Sequence, residues 1–322
     1  MIQLSVIIPF YNSASYFKET LESVKCNLNE KIEIIIIDDG SNDNSIEIIN
    51  QVFAQGSYNM KILSRPLSKP KGANACRNYG LENSVGHYVM FIDSDDLISL
   101  NCISNRMNYI NNYSIQNDMY IFQTAFMNDE KNITGVFAQK IEMTYDQILL
   151  SFLDHKIPWH TMSVIWDRNF LISIEQWNEK YPRLQDVELN IRALLKKPRI
   201  HIVQNGSIDS YYRSVKMNNI KERSARYGFV MIIHDYYTIL MNKFCNIAET
   251  KHLITQIFQK QLISTLGSYL QSENIDNEWC ELYLKTLSVC EMDTDEIESI
   301  KNFLKKMVLI RFLFFCYIIH HL

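Results

Sequence analysis

The chain has 322 residues, of which 47% are hydrophobic and 21% charged, and a formal net charge of −4. That is enough apolar material for one large domain or two, and the acidic balance argues against a general nucleic-acid binder. Nine glycines and six prolines exclude collagen-like and low-complexity chains and any long flexible linker. Seven cysteines, an odd number with no CxxC, fit a reducing cytosol better than a disulfide framework or a zinc ribbon. No basic and apolar leader precedes the first strand pattern, so no signal peptide is expected, and no run of about 18 apolar residues would span a bilayer.

Leu4–Pro9 (LSVIIP) is a β-branched run that reads as a buried strand. Asn12 is expected to cap a helix to about Val24, with Phe17, Leu21 and Val24 inward. Ile32–Ile37 (IEIIII) predicts a second buried strand, ended by Asp38-Asp39-Gly40-Ser41, and Asn44–Phe53 a second helix. A strand at Lys61–Ser64, a Gly-started helix over Lys71–Asn83 and a strand at Tyr88–Ile92 (YVMFI) follow. Strands alternating with helices at this spacing imply an α/β, mostly parallel sheet. Beyond Ser99 the pattern loosens: a helix near Ile103–Asn111, a strand near Met119–Gln123 and a helix over Gln185–Lys196. From about Lys221 the chain reads as helical, which places a boundary near residue 220, with domains 1–220 and 221–322.

In an open parallel sheet, ligands bind at the carboxyl ends of the strands. Three of the first four predicted strands end in polar signatures: Pro9-Phe10-Tyr11-Asn12, Asp38-Asp39-Gly40-Ser41 and Asp93-Ser94-Asp95-Asp96. Turn-forming preference would explain any one of them, but not all three together. Asp93-Ser94-Asp95-Asp96 packs three carboxylates into four residues, a costly arrangement unless a cation neutralises it. Hard oxygen ligands suit Mg2+ or Mn2+, so the turn reads as a metal–diphosphate clamp, with a solvated acidic turn as the bland alternative. Lys69, Lys71 and Arg77 could meet phosphate, with Gly72 allowing close backbone approach at a helix start.

These residues resemble the inverting family 2 glycosyltransferases with the GT-A fold, of the bacterial surface-polysaccharide type. The resemblance is carried by SVIIPFYNSASYFKETLESV, IIIIDDGSNDNS, KGANACRNYGL and YVMFIDSDD, in that order. It is firm to about residue 100 and looser to about 215. It implies a GT-A nucleotide-sugar sheet followed by a helical C-terminal region, a nucleotide-sugar donor carrying uridine, a saccharide acceptor, and Mn2+ or Mg2+. Pro9–Tyr11 and Asp39 would hold the base and ribose, with Asp39 accepting the uracil ring N–H and Tyr11 stacking beside the base. Arg77 would approach the diphosphate. Asp93 and Asp95 form the DxD motif, Asp95 as the direct metal ligand, and Asp96 would orient the sugar. The resemblance also implies a general base at the start of a later helix, often in a Glu-Asp pair. Here LQDVE makes Asp186 the base and Glu188 the runner-up, with Gln185 in place of the usual Glu. Tyr211-Tyr212-Arg213-Ser214 matches the family's later basic segment only loosely.

His155, His160 and His201 share no metal-like spacing and read as structural. Trp159 and Trp166 suit either sugar stacking or the core. Two other classes stay open: a nucleotidyltransferase on a related sheet, though PFYNSASYF stands where such enzymes carry a Gly-rich basic loop, and a non-catalytic sugar- or partner-binding module. Residues 301–322 (KNFLKKMVLIRFLFFCYIIHHL) combine Lys301, Lys305, Lys306 and Arg311 with a short apolar run. They read either as a helix packed into the core or a homodimer interface, or as an interfacial helix on the cytoplasmic face of the membrane, where lipid-linked saccharides would be the acceptors.

Overall fold

The computed structural model describes residues 1–137, 143–203, 206–214, 219–271, 277–290, 292, 294–295 and 297–304. Its first stretch alternates strands and helices: β1 (Leu4–Phe10), α1 (Ala14–Lys25), β2 (Ile32–Asp38), α2 (Ser45–Val52), β3 (Asn59–Ser64), α3 (Ala73–Glu82) and β4 (Tyr88–Phe91). Then come β5 (Leu97–Ile98), α4 (Cys102–Asn112), β6 (Met119–Ile121), β7 (Thr124–Met127), β8 (Ile133–Val136), α5 (Tyr145–Leu153), β9 (Val164–Asp167), α6 (Arg168–Ser173), α7 (Gln185–Leu195), β10 (Ile200–Ile202) and β11 (Ser210–Arg213). A seven-stranded sheet has the order β10-β6-β9-β4-β1-β2-β3. The β3-β2-β1-β4 pairs are parallel, and β9 runs antiparallel between β4 and β6. A second sheet, β5-β11-β7-β8, has four strands.

Every residue of β1 and β2 is buried, as expected of strands covered on both faces. Leu4, Val6 and Ile8 of β1 and Ile34 and Ile36 of β2 share a core with Phe17, Leu21 and Val24 of α1. The opposite face lies under α3, where a Cβ on Gly80 would sit 2.5 Å from Ile7 and 2.8 Å from Ile37, so only glycine permits this approach. Glu33, buried within β2, is satisfied: its Oε1 accepts from the Ser5 hydroxyl at 2.6 Å and the Val85 N–H at 2.6 Å.

A buried ion pair ties α4 to the second sheet. Arg106 Nε and Nη2 donate to the two Asp209 carboxylate oxygens at 2.9 and 2.5 Å. Nη1 reaches the Met162 carbonyl at 2.7 Å and Nη2 the Ser210 hydroxyl at 2.8 Å. Desolvating both charges is costly, and only this complete hydrogen bonding makes the pair tolerable. Removing one partner of such a pair typically destabilises by about 3–5 kcal/mol.

The chain forms two compact units, residues 1–180 with 185–216, and 181–184 with 217–322. The second unit holds α8 (Asn219–Lys243), α9 (Ala248–Gln271) and α10 (Asn277–Val289). Its Trp279 stacks on Tyr269 and Tyr283 at 4.2 and 4.7 Å. No helix among the described residues is long and apolar enough to cross a membrane. Residues 305–322, most of the basic and apolar C-terminal segment, lie outside the described residues.

Asn12 does not cap α1. It adopts a left-handed backbone, φ 47°, and its Oδ1 accepts from the Asn42 N–H at 2.8 Å. The α1 N-terminus is held instead from the β2–α2 loop: Ala14 N–H donates to Asp43 Oδ2 and Ser13 N–H to the Ser45 hydroxyl, both at 3.0 Å. Partial burial pushes the Asp43 carboxyl's pKa up, but hydrogen bonds from Ser45 and Ala14 outweigh it and lower the net value below the ordinary 3.8. Asp43→Ala should therefore cost about 1 kcal/mol at pH 7, the usual worth of such a cap. Because the folded-state pKa is depressed, that stability is present above the ordinary value and lost as pH falls through the folded one. Equilibrium unfolding of both proteins should show the gap closing below about pH 4; a gap independent of pH would contradict the cap.

Candidate active site

The first three elements of the site are loops at the carboxyl ends of β1, β2 and β4. Pro9 is buried in β1 beyond the last β1–β4 pair, Ile7 with Phe91, so its missing N–H breaks no ladder there. Tyr11 is exposed, with Lys71 Nζ 3.7 Å above its ring centroid. Asp39 is buried; its N–H donates to the Phe10 carbonyl at 2.9 Å, joining the two loops. Its Oδ1 accepts from Arg65 Nε and its Oδ2 from the Gly72 N–H at 3.0 Å. Gly72 takes φ +136°, which other residues rarely adopt, and its N–H goes to Asp39 rather than remaining open to an anion. The Cys76 thiol is a further hydrogen-bonding neighbour of this carboxylate. Arg65, which sequence reasoning missed, sits just beyond β3 and also donates to the Lys69 carbonyl at 2.6 Å.

The acidic turn after β4 is held by two arginines. Arg77 on α3 is 4% exposed, and its Nη2 donates to Asp93 Oδ1 at 2.5 Å. Its Nη1 donates to Gln185 Oε1 at 3.0 Å and Asn74 Oδ1 at 3.1 Å, and its guanidinium lies 4.4 Å over the Trp177 ring. Arg77 Nε is buried without a partner. On the other side, the Arg213 backbone N–H donates to Asp96 Oδ1 at 2.8 Å and its Nε to the Asp95 carbonyl at 2.9 Å. Arg213 thus fixes the backbone of the turn. Ser94 hydrogen-bonds the Ser13 hydroxyl at 2.7 Å, tying the turn to the β1–α1 loop.

Asp96 is fully buried, and its Oδ2 has no partner. Burial, then the neighbouring Asp95 and Asp93 charges, push its carboxyl well above the usual range. His160, just before the 3-10 turn Thr161–Ser163 that enters β9, is buried with Nδ1 unpartnered. Burial lowers its pKa, while the charges of Asp93 and Asp186 pull the other way. Among the described residues, Asp93, Asp96 and His160 form a group able to hold a metal ion, each offering a ligand atom within 4.8 Å of the others. His160 read as structural because nothing in its local sequence relates it to the distant acidic turn; the β4–β9 pairing brings them together.

Asp186 lies in the first turn of α7, next to the residue that Arg77 holds, and is half-buried. Its Oδ1 accepts from the Val187 N–H at 2.9 Å. Glu188, two residues on, is 1% exposed and paired bidentately with Arg192, both bonds at 2.9 Å. That pairing gives Glu188 a structural use. Trp159 and Trp166 are core residues, 1% and 2% exposed, and Trp159 Nε1 donates to Asn190 at 2.9 Å. His201 packs against Tyr113 at 4.1 Å and bonds the Tyr109 hydroxyl, away from these groups.

The model of the family described as Glycosyl transferase family 2 matches residues 5–170, from β1 into α6. The Escherichia coli protein "UDP-Glc:alpha-D-GlcNAc-diphosphoundecaprenol beta-1,3-glucosyltransferase WfaP" is 30% identical over 223 residues, 68% of this chain and 82% of its own. The Bacillus subtilis "Minor teichoic acid biosynthesis protein GgaB" is 25% identical over 317 residues, 93% of this chain but 34% of its own. Of several other curated relatives, too, the chain spans less than half the length. The crystal structure of S. aureus TarS 1–349 in complex with UDP-GlcNAc superposes with a TM-score of 0.64 at 19% identity, over 90% of this chain and 80% of that one, a likeness of fold. The motifs at the strand ends, the sheet that gathers them and the family match agree: the chain belongs to glycosyl transferase family 2 and is a glycosyltransferase of the GT-A type.

Proposed function

We propose that the protein transfers a sugar, with inversion, from a uridine-diphosphate sugar to a hydroxyl of a lipid-linked saccharide during synthesis of a cell-surface polymer. The observation that carries this reading is the Arg77 bridge. One guanidinium binds Asp93 of the acidic turn and Gln185, the neighbour of Asp186, at 2.5 and 3.0 Å. A phosphate clamp and a candidate base, far apart in sequence, therefore belong to one site. The unpartnered Arg77 Nε supports a role in meeting a diphosphate oxygen. Pro9, Tyr11 and Asp39 are the proposed base and ribose contacts.

The residues of the turn fit a divalent cation: carboxylates crowd one loop, and Asp96 Oδ2 and His160 Nδ1 are buried without partners. Asp93 and Asp95 are the ligands expected from sequence, and Asp96 and His160 are the further donors beside Asp93. Mn2+ or Mg2+ bound there would supply charge to the departing diphosphate. Asp186 takes the proton of the acceptor hydroxyl as that oxygen bonds to the anomeric carbon. The bond from that carbon to the diphosphate oxygen breaks on the opposite face, and this single displacement inverts the centre. The donor class follows the UDP-sugars named for WfaP and TarS, and the lipid-linked acceptor follows the diphosphoundecaprenol of WfaP. Such an acceptor places the reaction at the cytoplasmic membrane surface. Residues 301–322, basic then apolar, are the proposed contact, with a second copy of the chain as their alternative partner.

Asp186→Asn should lower kcat by roughly 10²–10⁴, the usual worth of a general base, and leave UDP affinity within a few-fold. Steady-state UDP release and calorimetry separate the two; a near-normal kcat would move the base elsewhere. Calorimetry should also show UDP binding tighter than GDP and strengthened by Mn2+. Tighter GDP binding would contradict the uridine assignment to Asp39, and binding indifferent to metal would contradict the cation.

A further inference from the structure

Asp96 and His160 are 0% and 8% exposed, and each keeps one polar atom, Oδ2 and Nδ1, without a partner. Buried polar atoms are rarely left unpaired, because they lose water and gain nothing in return. The two residues come from different elements and fall in one group with Asp93, each offering a ligand atom within 4.8 Å of the others. The His160 ring is packed by Tyr212 at 4.4 Å and Phe137 at 5.4 Å. The other Asp96 oxygen is already fixed by the Arg213 N–H at 2.8 Å. The turn is thus rigid on one side while its inner oxygen and the imidazole nitrogen remain uncommitted.

We propose that His160 is a nitrogen ligand of the bound divalent ion, completing a mixed nitrogen–oxygen set with Asp93 and Asp96 that makes the site favour manganese over magnesium. This rests on the cation reading above. Mg2+ prefers oxygen donors and keeps its waters, whereas imidazole suits first-row transition ions. An all-carboxylate turn would discriminate little between the two ions; one buried nitrogen changes that. The aromatic packing also restricts rotation of the ring, so the nitrogen is presented without a large ordering cost on binding.

The test uses the full chain with Mn2+ and UDP and does not depend on turnover. Pulsed electron paramagnetic resonance should show a directly bound nitrogen on Mn2+, and uniform 15N labelling of the protein should replace the 14N pattern with that of 15N. His160→Gln should abolish the coupling and reduce the ratio of Mn2+ to Mg2+ affinity about tenfold, while metal-free thermal unfolding stays close to that of the parent. Absence of a protein nitrogen in the unmodified complex, with UDP binding still dependent on Mn2+, would overturn the His160 ligand and leave the cation reading intact. UDP binding indifferent to both ions would overturn both. The first measurement needs no variant, so a misfolded His160→Gln protein would not rescue the proposal.

Discussion

The site depends on one buried cation. The Arg77 guanidinium holds Asp93 on one side and Gln185 on the other while lying over Trp177. It links the acidic turn after β4 to the start of α7. A guanidinium suits the position because its fork directs several donors at fixed angles; a lysine would offer a point charge. Gln185 matters for the same reason. As a neutral acceptor it orients Arg77 without adding an anion, so the guanidinium's charge is balanced chiefly at Asp93. Arg77 thus offsets one of the three acidic charges of the turn, and the crowding of the others still favours a cation.

Around that centre, neighbouring loops are fixed by hydrogen bonds rather than by apolar packing. Asp39 joins the β1 and β2 loops to Arg65 and Gly72, Asp43 and Ser45 hold the start of α1, and Arg213 holds the acidic turn. Such contacts suit a binding surface, where backbone must be ordered yet accessible to ligand. The scaffold below is the reverse: β1 and β2 are wholly buried, and the Arg106–Asp209 pair keeps the second sheet attached through a fully satisfied polar network. Rigid strands and polar loops together give the precision that positioning a donor against an acceptor demands.

Much of this was legible in the chain itself. The β-branched runs at Leu4–Pro9 and Ile32–Ile37 could only be buried strands, and the polar residues after them were placed by the rule for open parallel sheets. Local signals failed where partners are distant. Asn12 looks like a helix cap, yet the cap comes from Asp43 in another loop. β9 has four residues and no alternation, so nothing announced the antiparallel strand that carries His160 to the acidic turn. Nothing in the sequence around Arg106 marks it as buried; its burial follows from Asp209, far along the chain. Glu188 and Arg192, by contrast, stand four apart on α7, and their pairing was visible in principle as a helical ion pair.

The most direct measurement is a double-mutant cycle in kcat/KM with Arg77→Lys and Gln185→Ala. If Arg77 couples the acidic turn to α7, the two changes act on one interaction. The double variant should then lose less than the sum of the singles, with a coupling of about 1 kcal/mol or more. Effects that add to within about 0.5 kcal/mol would mean that the turn and the helix are positioned independently, contrary to the bridge.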